Sequence, residues 1–274
     1  VGSEMCIRDR RFYVNMDRQK FDSWLMTLLP TTVDLRLDCR FKSYQSDKKG
    51  FRITLRDKKK VFTETAKILV GADGASSKVR RQALPDTNLP KAYIAVQEWV
   101  EANRQLPYFS SIFDPSITDY YCWTIPKGDH LLIGAALHPQ DDTALKFKLL
   151  KEKLRVHGFQ FGRVIRREGA LIMRPLQQRH LSTGTKGIAL LGEAAGWISP
   201  SSAEGLSYAF RSALILAEAL RTSIDGFEKR YYQSSRRLRV NILIKKLKSH
   251  FIFHPALRKT VMRAGLSSMK VYNS

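Results

Sequence analysis

Two apolar runs, ILVGA at residues 68–72 and GIALL at 187–191, each lead through glycine to an acid and pass directly into a loop of small residues. The first continues as DGASSKVRR, with Asp73-Gly74, Ser76, Ser77 and Arg80, and the second as GEAAGWISPSSAEG, with Glu193 directly after Gly192. Runs this short and unbroken read as strands buried on both faces, the kind that parallel sheets use. The second loop runs into LSYAFRSALILAEAL, and a helix expected to start near Ala203 adds the positive end of its dipole to the exposed N–H groups of the turn. Such a place attracts anions. The same residues also have a purely structural reading. Ser201-x-x-Glu204 fits a capping box, and strand ends use Gly and Asp for turn chemistry. Gly192, Ala194, Ala195 and Gly196 either leave room for a ligand or let strand and helix pack tightly. Spacing alone leaves both readings open.

The rest of the chain sets bounds. Its 274 residues suffice for one or two domains with a large core, and 43% hydrophobic and 10% aromatic residues argue against disorder. The formal net charge is +22, and it is uneven: residues 226–274 hold 12 Lys and Arg against one acid, Glu228. Cys6, Cys39 and Cys122 form no CxxC pair, which argues against a zinc site or disulfide framework and fits a reducing, cytoplasmic compartment. No apolar run approaches the roughly 20 residues that span a bilayer, and no signal-peptide pattern opens the chain. Residues 1–10, VGSEMCIRDR, show neither helical nor strand periodicity and resemble translated adapter sequence, so they are set aside from the fold as a non-native stretch.

Between these landmarks the pattern is regular. NMDRQKFDSWLMTLLP places Phe21, Trp24, Leu25 and Leu28 at helical spacing, with Asn15 or Asp17 as N-cap and Pro30 past the end. VDLRLDCRFKSYQSD, GFRITLRDK and KVFTETAKILVGADG alternate as strands with turns at 47–50 and 57–60. Segments within 91–137 predict an antiparallel sheet, DDTALKFKLLKEKLRVHG a helix ended by Gly158, and GRVIRREGALIMRP and GIALLG two further strands. From Leu206 onward the pattern is mostly helical.

Taken in order, these loops resemble the FAD-dependent oxidoreductases of the aromatic hydroxylase and geranylgeranyl reductase superfamily. That family's G-A-D-G-x-x-S-x-V-R pattern is matched by Gly71, Ala72, Asp73, Gly74, Ser77, Val79 and Arg80. Its G-D-A-A-G...P...G-x-G-x-x-A segment is matched by Gly192, Ala194, Ala195, Gly196, Pro200, Gly205 and Ala209, with Glu193 in place of Asp. The resemblance implies that Asp73 and Gly74 lie near the FAD pyrophosphate and that Glu193 binds the ribityl chain. It implies that backbone N–H groups around Ser202, Ala203 and Gly205 face the flavin, and that Arg18, in the D-R-x-x-F-D-x-x-L helix, reaches the cofactor. YYCWTIPK is similar to the Y-x-W-x-F-P motif of the reductase branch through Tyr121, Trp123 and Pro126, with Ile125 for Phe; the first two would line the substrate cavity. Without the resemblance they read as core aromatics.

The implied fold is α/β with an α+β insert. Residues 11–80 and 186–222 would form a partial Rossmann-like FAD-binding domain, 81–185 an antiparallel substrate-binding sheet domain and 223–274 a basic helical tail. The family's first βαβ unit, with its G-x-G-x-x-G turn, has no counterpart in this sequence. The chain is therefore expected to be an N-terminally truncated, inactive fragment that holds FAD poorly or not at all. The implied activity is hydride transfer through the flavin to a carbon–carbon double bond, or dehydrogenation, of a hydrophobic, prenyl-like substrate, with monooxygenase, halogenase and quinone-linked dehydrogenase as alternatives. No catalytic side chain stands out.

The tail adds a candidate partner. In LRVNILIKKLKSHF, Val240, Leu243, Ile244, Leu247 and Phe251 share one helical face while Arg239, Lys245, Lys246 and Lys248 lie mostly outside it. A helix of this kind within residues 236–263 either sits on an anionic membrane surface, here the inner face, or docks on the body with its basic side in solvent. His250-x-x-x-His254 has metal-ligand spacing but lacks a nearby carboxylate and precedes Pro255, so a structural role is expected and no metal. No nucleic-acid-binding pattern and no hydrolase constellation is present.

Overall fold

A computed structural model describes residues 3–6, 15–58, 60–85, 89–102, 108–258 and 269–272. The chain forms two compact units, Arg8–Lys67 on one hand and Val1–Ile7 with Ile68–Ser274 on the other.

In the smaller unit, helix α1 (Arg18–Thr27) begins where the Asp17 carboxylate accepts from the Lys20 N–H at 3.1 Å. Strands β2 (Arg40–Asp47), β3 (Gly50–Arg56) and β4 (Val61–Ala66) form an antiparallel meander whose two turns fall at the predicted positions. The alternation of residues 33–39 does not become strand. Asp38 adopts φ 59°, in the left-handed region that interrupts extended backbone, and Arg36 is drawn to Asp34 and Glu64.

The larger unit is built on a seven-stranded sheet in the order β10-β6-β9-β8-β7-β1-β13, antiparallel at every pairing. The strands are β1 (Ser3–Cys6), β6 (Lys91–Glu101), β7 (Ser110–Ile112), β8 (Cys122–Lys127), β9 (His130–Leu137), β10 (Val164–Arg174) and β13 (Met269–Tyr272). Two of these differ from the sequence reading. Ser3–Cys6 had been set aside with residues 1–10, and Met269–Tyr272 lies in a tail predicted to be mostly helical. Each is short and lacks periodicity of its own, and the backbone pairing between them supplies what the local pattern does not.

One face of this sheet is covered by α3 (Thr143–Val156), capped by Asp142. Its Phe147, Leu150 and Leu154 pack on Val100, Ile133, Ala135 and Leu137, each buried aliphatic contributing about 1.5–3 kcal/mol. Glu98 of β6 is fully buried and held by Lys151 and Arg167. Burial alone would raise its carboxyl, and the two cations more than offset that, leaving it below the usual range. The other face carries Tyr93, Tyr120, Trp123 and Leu132. Gly134 is required there, because a Cβ would lie 2.2 Å from the Trp123 ring.

A second, small sheet runs β11 (Gly184–Thr185), β12 (Ile188–Leu190), β5 (Leu69–Gly71), with β12 parallel to β5. Strand β12 is buried throughout, as expected. Strand β5 is not, since Val70 is 38% exposed; β5 lies at the sheet edge among the described residues, and only Leu69 and Gly71 face inward. Helix α2 (Lys78–Ala83) presses on Gly71, where a Cβ would come within 2.9 Å of Val79 and Leu190. Helices α4 (Leu206–Thr222), α5 (Phe227–Ser234) and α6 (Arg236–Phe253) complete the unit. Leu216, Ala219, Phe227 and Tyr231 close over Ala189, and the Tyr231 hydroxyl donates to Leu190 O at 2.8 Å.

Candidate functional site

Because β5 and β12 are parallel and in register, with Leu69 opposite Ile188 and Gly71 opposite Leu190, their C-terminal ends lie side by side. The Leu191 N–H continues the ladder to Gly71 O at 2.9 Å. The two acid-bearing loops therefore leave the sheet from one edge. Arg80 ties them together from α2: its buried guanidinium donates to Ala194 O at 3.1 Å and to His180 O at 2.8 Å. Burial lowers the pKa of this guanidinium, which nonetheless stays a cation at neutral pH.

In the first loop the acid serves its own helix. The Asp73 carboxylate accepts from Ser77 Oγ at 2.5 Å and from the N–H groups of Lys78 and Val79 at 2.7 and 3.2 Å. Ser77 Oγ in turn accepts from the Arg80 N–H. This is capping chemistry, and it fixes the carboxylate at the start of α2. Beside it Gly74, at φ 70°, has no atom within 4 Å of where a Cβ would stand.

The second loop is held from outside. Gly192–Ala195 make one 3-10 turn ending at Gly196, where a φ of 81° and the 2.5 Å at which a Cβ would meet His180 O exclude a side chain. Glu193 Oε1 accepts from the Met173 N–H of β10 at 2.6 Å, and Oε2 makes no hydrogen bond among the described residues. Burial pushes this carboxyl up, only partly countered by that backbone bond. Downstream, three side chains of the large sheet region grip successive carbonyls. Tyr120 Oη donates to Ser199 O at 3.4 Å, Arg174 Nε to Pro200 O at 3.1 Å, and Tyr121 Oη to Ser202 O at 2.8 Å. Burial pushes both phenols up, in keeping with hydroxyls that donate to carbonyls. Arg174 packs against the rings of Tyr120 and Phe253, 4.5 and 4.3 Å from their centroids, and the two rings also touch each other.

Two details of this loop correct the sequence reading. Helix α4 begins at Leu206, not near Ala203, because Ala203 takes φ 50° and the chain turns there. The Ser201–Glu204 capping box is not made: Ser201 Oγ pairs with Ser199 Oγ, and Glu204 Oε1 accepts from the Ser207 N–H at 3.0 Å, capping α4 alone. Gly205 remains open, with nothing nearer than 3.8 Å to a Cβ built on it.

Of the predicted site residues, Asp73, Gly74, Gly192, Glu193, Gly196, Pro200, Ser202, Ala203 and Gly205 thus belong to the two loops at one sheet edge. Tyr121 reaches the second loop directly, and the Trp123 ring lies 5.5 Å from it. Arg18 belongs to the other compact unit, on α1, where it is exposed and pairs with Asp22 at 3.3 Å. Arg174, Tyr120 and the role of Arg80 were not anticipated. The only signal for Arg174 is a lone cation ending the apolar strand LIMRP, which in a buried strand demands partners.

No family model matches the chain. Protein CbrA of Escherichia coli O139:H28 is 39% identical over 269 residues, covering 97% of this chain and 75% of that protein, and CbrA of Shigella sonnei is 39% identical over the same extent. Among solved structures, a geranylgeranyl bacteriochlorophyll reductase-like protein of Thermoplasma acidophilum superposes with TM-score 0.72 at 17% identity, over 88% of this chain and 66% of that one. The flavin-dependent brominase Bmp2 gives 0.58 at 16% identity (90% and 69%), and a Klebsiella pneumoniae HpxO variant complexed with FAD gives 0.55 at 17% (82% and 62%). This chain therefore has the mixed α/β fold of FAD-dependent oxidoreductases, with antiparallel sheet and helical C-terminal region as expected. By sequence, the chain belongs to the CbrA family.

Proposed function

We propose that the chain is the larger part of an FAD-dependent oxidoreductase that reduces a carbon–carbon double bond in a hydrophobic, prenyl-like substrate. The observation that carries this reading is the convergence of two acid-and-glycine loops on one edge of a parallel strand pair. The residues fit the cofactor: Gly74 and Gly205 leave their sides open, and Glu193 keeps one carboxylate oxygen without a partner among the described residues. Bound there, FAD would supply the hydride chemistry, which no side chain can.

The protein's share is position and electrostatics. Glu193 would take a ribityl hydroxyl, Asp73 and Gly74 would stand beside the pyrophosphate, and the turn from Ser202 to Gly205 would offer N–H groups to the flavin ring. Tyr121 and Trp123 would form the apolar wall against which the substrate lies. Residues 11–80 and 186–222 would then be the two parts of the cofactor domain, with 81–185 the substrate sheet and a cytoplasmic setting. As the sequence has no G-x-G-x-x-G turn, weak FAD binding is expected of this chain by itself.

The test has two arms. FAD should co-purify with the E. coli CbrA relative, and this chain should quench FAD fluorescence only near the solubility limit of the cofactor. A colourless relative with no affinity for FAD would overturn the reading. Similarity to the brominase leaves halogenation, with hydroxylation beside it, as the second possibility, and quinone-linked dehydrogenation a third. Oxygen consumption dependent on halide or on a hydroxylatable substrate would favour the second over alkene reduction.

A further inference from the structure

The tail helix α6 has apolar residues on two sides. Leu238, Ile242 and Ser249 face the body of the larger unit and are buried. On the opposite side Val240, Ile244, Leu247 and Phe251 repeat at i, i+4, i+7 and i+11 and are all exposed, Ile244 at 61% and Leu247 at 65%. This is the stripe that the sequence singled out. It does not dock on the body among the described residues, because a different face of the same helix does.

We infer that this outward stripe of α6 seats on an anionic lipid bilayer surface. Charge decides the occupant. Arg236–Phe253 contains six Lys and Arg and no acid. At 3.6 residues per turn Arg237 and Lys248 follow one edge of the stripe, Leu243, also exposed, marks the other, and Lys246 lies beyond it. An apolar row about one helix face wide, flanked by cations on both sides, matches acyl chains below and phosphate headgroups above. A second copy of the chain would set two such basic helices against each other, and a nucleic acid would leave the apolar row in water. Neither answers both features. No described helix is long and apolar enough to cross a membrane, so the contact is peripheral. Residues 259–263, the end of the basic stretch marked out in the sequence, lie outside the described residues.

The helix is also joined to the candidate site. Phe253, its last residue, stacks on Arg174, which holds the Pro200 carbonyl. A docked α6 would therefore hold Tyr121, Trp123 and the second loop near the surface where prenyl-type lipids reside. The docking itself does not depend on the cofactor reading, and it is tested without FAD.

Sedimentation of the chain with phosphatidylglycerol-containing vesicles, against pure phosphatidylcholine vesicles, is the direct experiment. The chain should pellet with the anionic vesicles only and be released by high salt. Ile244→Asp with Leu247→Asp should lower partitioning at least tenfold, and Arg237→Gln with Lys248→Gln should lower it roughly 10- to 30-fold. All four side chains are exposed, so thermal melts of both variants should match the parent closely. Absence of pelleting on anionic vesicles, or equal pelleting of parent and variants, overturns the inference. So does a dimer in size-exclusion chromatography that the Asp variant dissociates while vesicle binding persists, since the stripe then belongs to a second copy.

Discussion

The loops that follow β5 and β12 are made of the same materials, an acid, glycines and serines, and they are stabilised in different ways. Asp73 closes a circuit of its own: four residues on, Ser77 donates to it, and the next two amides of α2 do likewise. Glu193 has no such neighbour. Its bond comes from Met173, 20 residues earlier on β10, and the loop beyond it is gripped by Tyr120, Arg174 and Tyr121, all from the region of the large sheet. The first loop is thus held by local bonds, and the second by bonds from the region of the large sheet. A loop shaped from outside responds to whatever lies on that sheet, and the sheet carries the aromatic pair proposed to face the substrate.

Breaking the connection between the loops should have the largest effect. Arg80→Ala strips two buried carbonyls of their donors, which costs about 4 kcal/mol and lowers the melting temperature by roughly 8–16 °C. Arg80→Lys should recover little of this, because one ammonium lacks the fork that spans two acceptors. Arg174→Ala comes next. Loss of the Pro200 hydrogen bond and of two ring contacts amounts to about 3 kcal/mol, and amide exchange should accelerate in residues 199–205 while α2 keeps its protection. If α2 loosened equally, the two loops would not be separately held.

Asp73→Asn sharpens the opposite side. It weakens the cap by about 1 kcal/mol, and exchange should rise in α2 alone. Glu193→Gln should be the mildest change, and its effect should depend on pH. Burial raises the folded-state pKa of Glu193, so the stability it contributes is complete below its unfolded pKa and is lost as pH rises through the folded value. The Gln variant keeps the bond from Met173 without ionising. Its melting temperature should match the parent in acid and exceed it at neutral pH. A parent that is equally or more stable at neutral pH would show that Glu193 is better solvated than its surroundings imply.

The same contrast explains what the sequence made legible. The strand and loop at 68–77, the meander turns, the helix capped by Asp142 and the antiparallel sheet follow from periodicity and turn chemistry over a few residues, whereas the short helix α2 carries no periodicity of its own. The clamp on residues 199–202 involves partners 26 to 81 residues away, and no local pattern marks a tyrosine as a donor to a distant carbonyl. The strand pairing of Ser3–Cys6 with Met269–Tyr272 is the extreme case, joining the two ends of the chain. Where local chemistry competed with a motif, local chemistry prevailed: Glu204 caps α4 by itself, and Ala203 turns the chain where the helix was expected, so that it begins three residues later at Leu206.

Hydrogen–deuterium exchange of this chain without FAD and with FAD near its solubility limit bears most directly on the central claim, that both loops grip one cofactor. Protection should appear together in residues 72–79 and 192–208, at the same FAD concentration, and vanish in both when Gly205 is replaced by a bulky Leu. Protection confined to one loop, or none in either at an FAD concentration whose fluorescence the chain quenches, would contradict it.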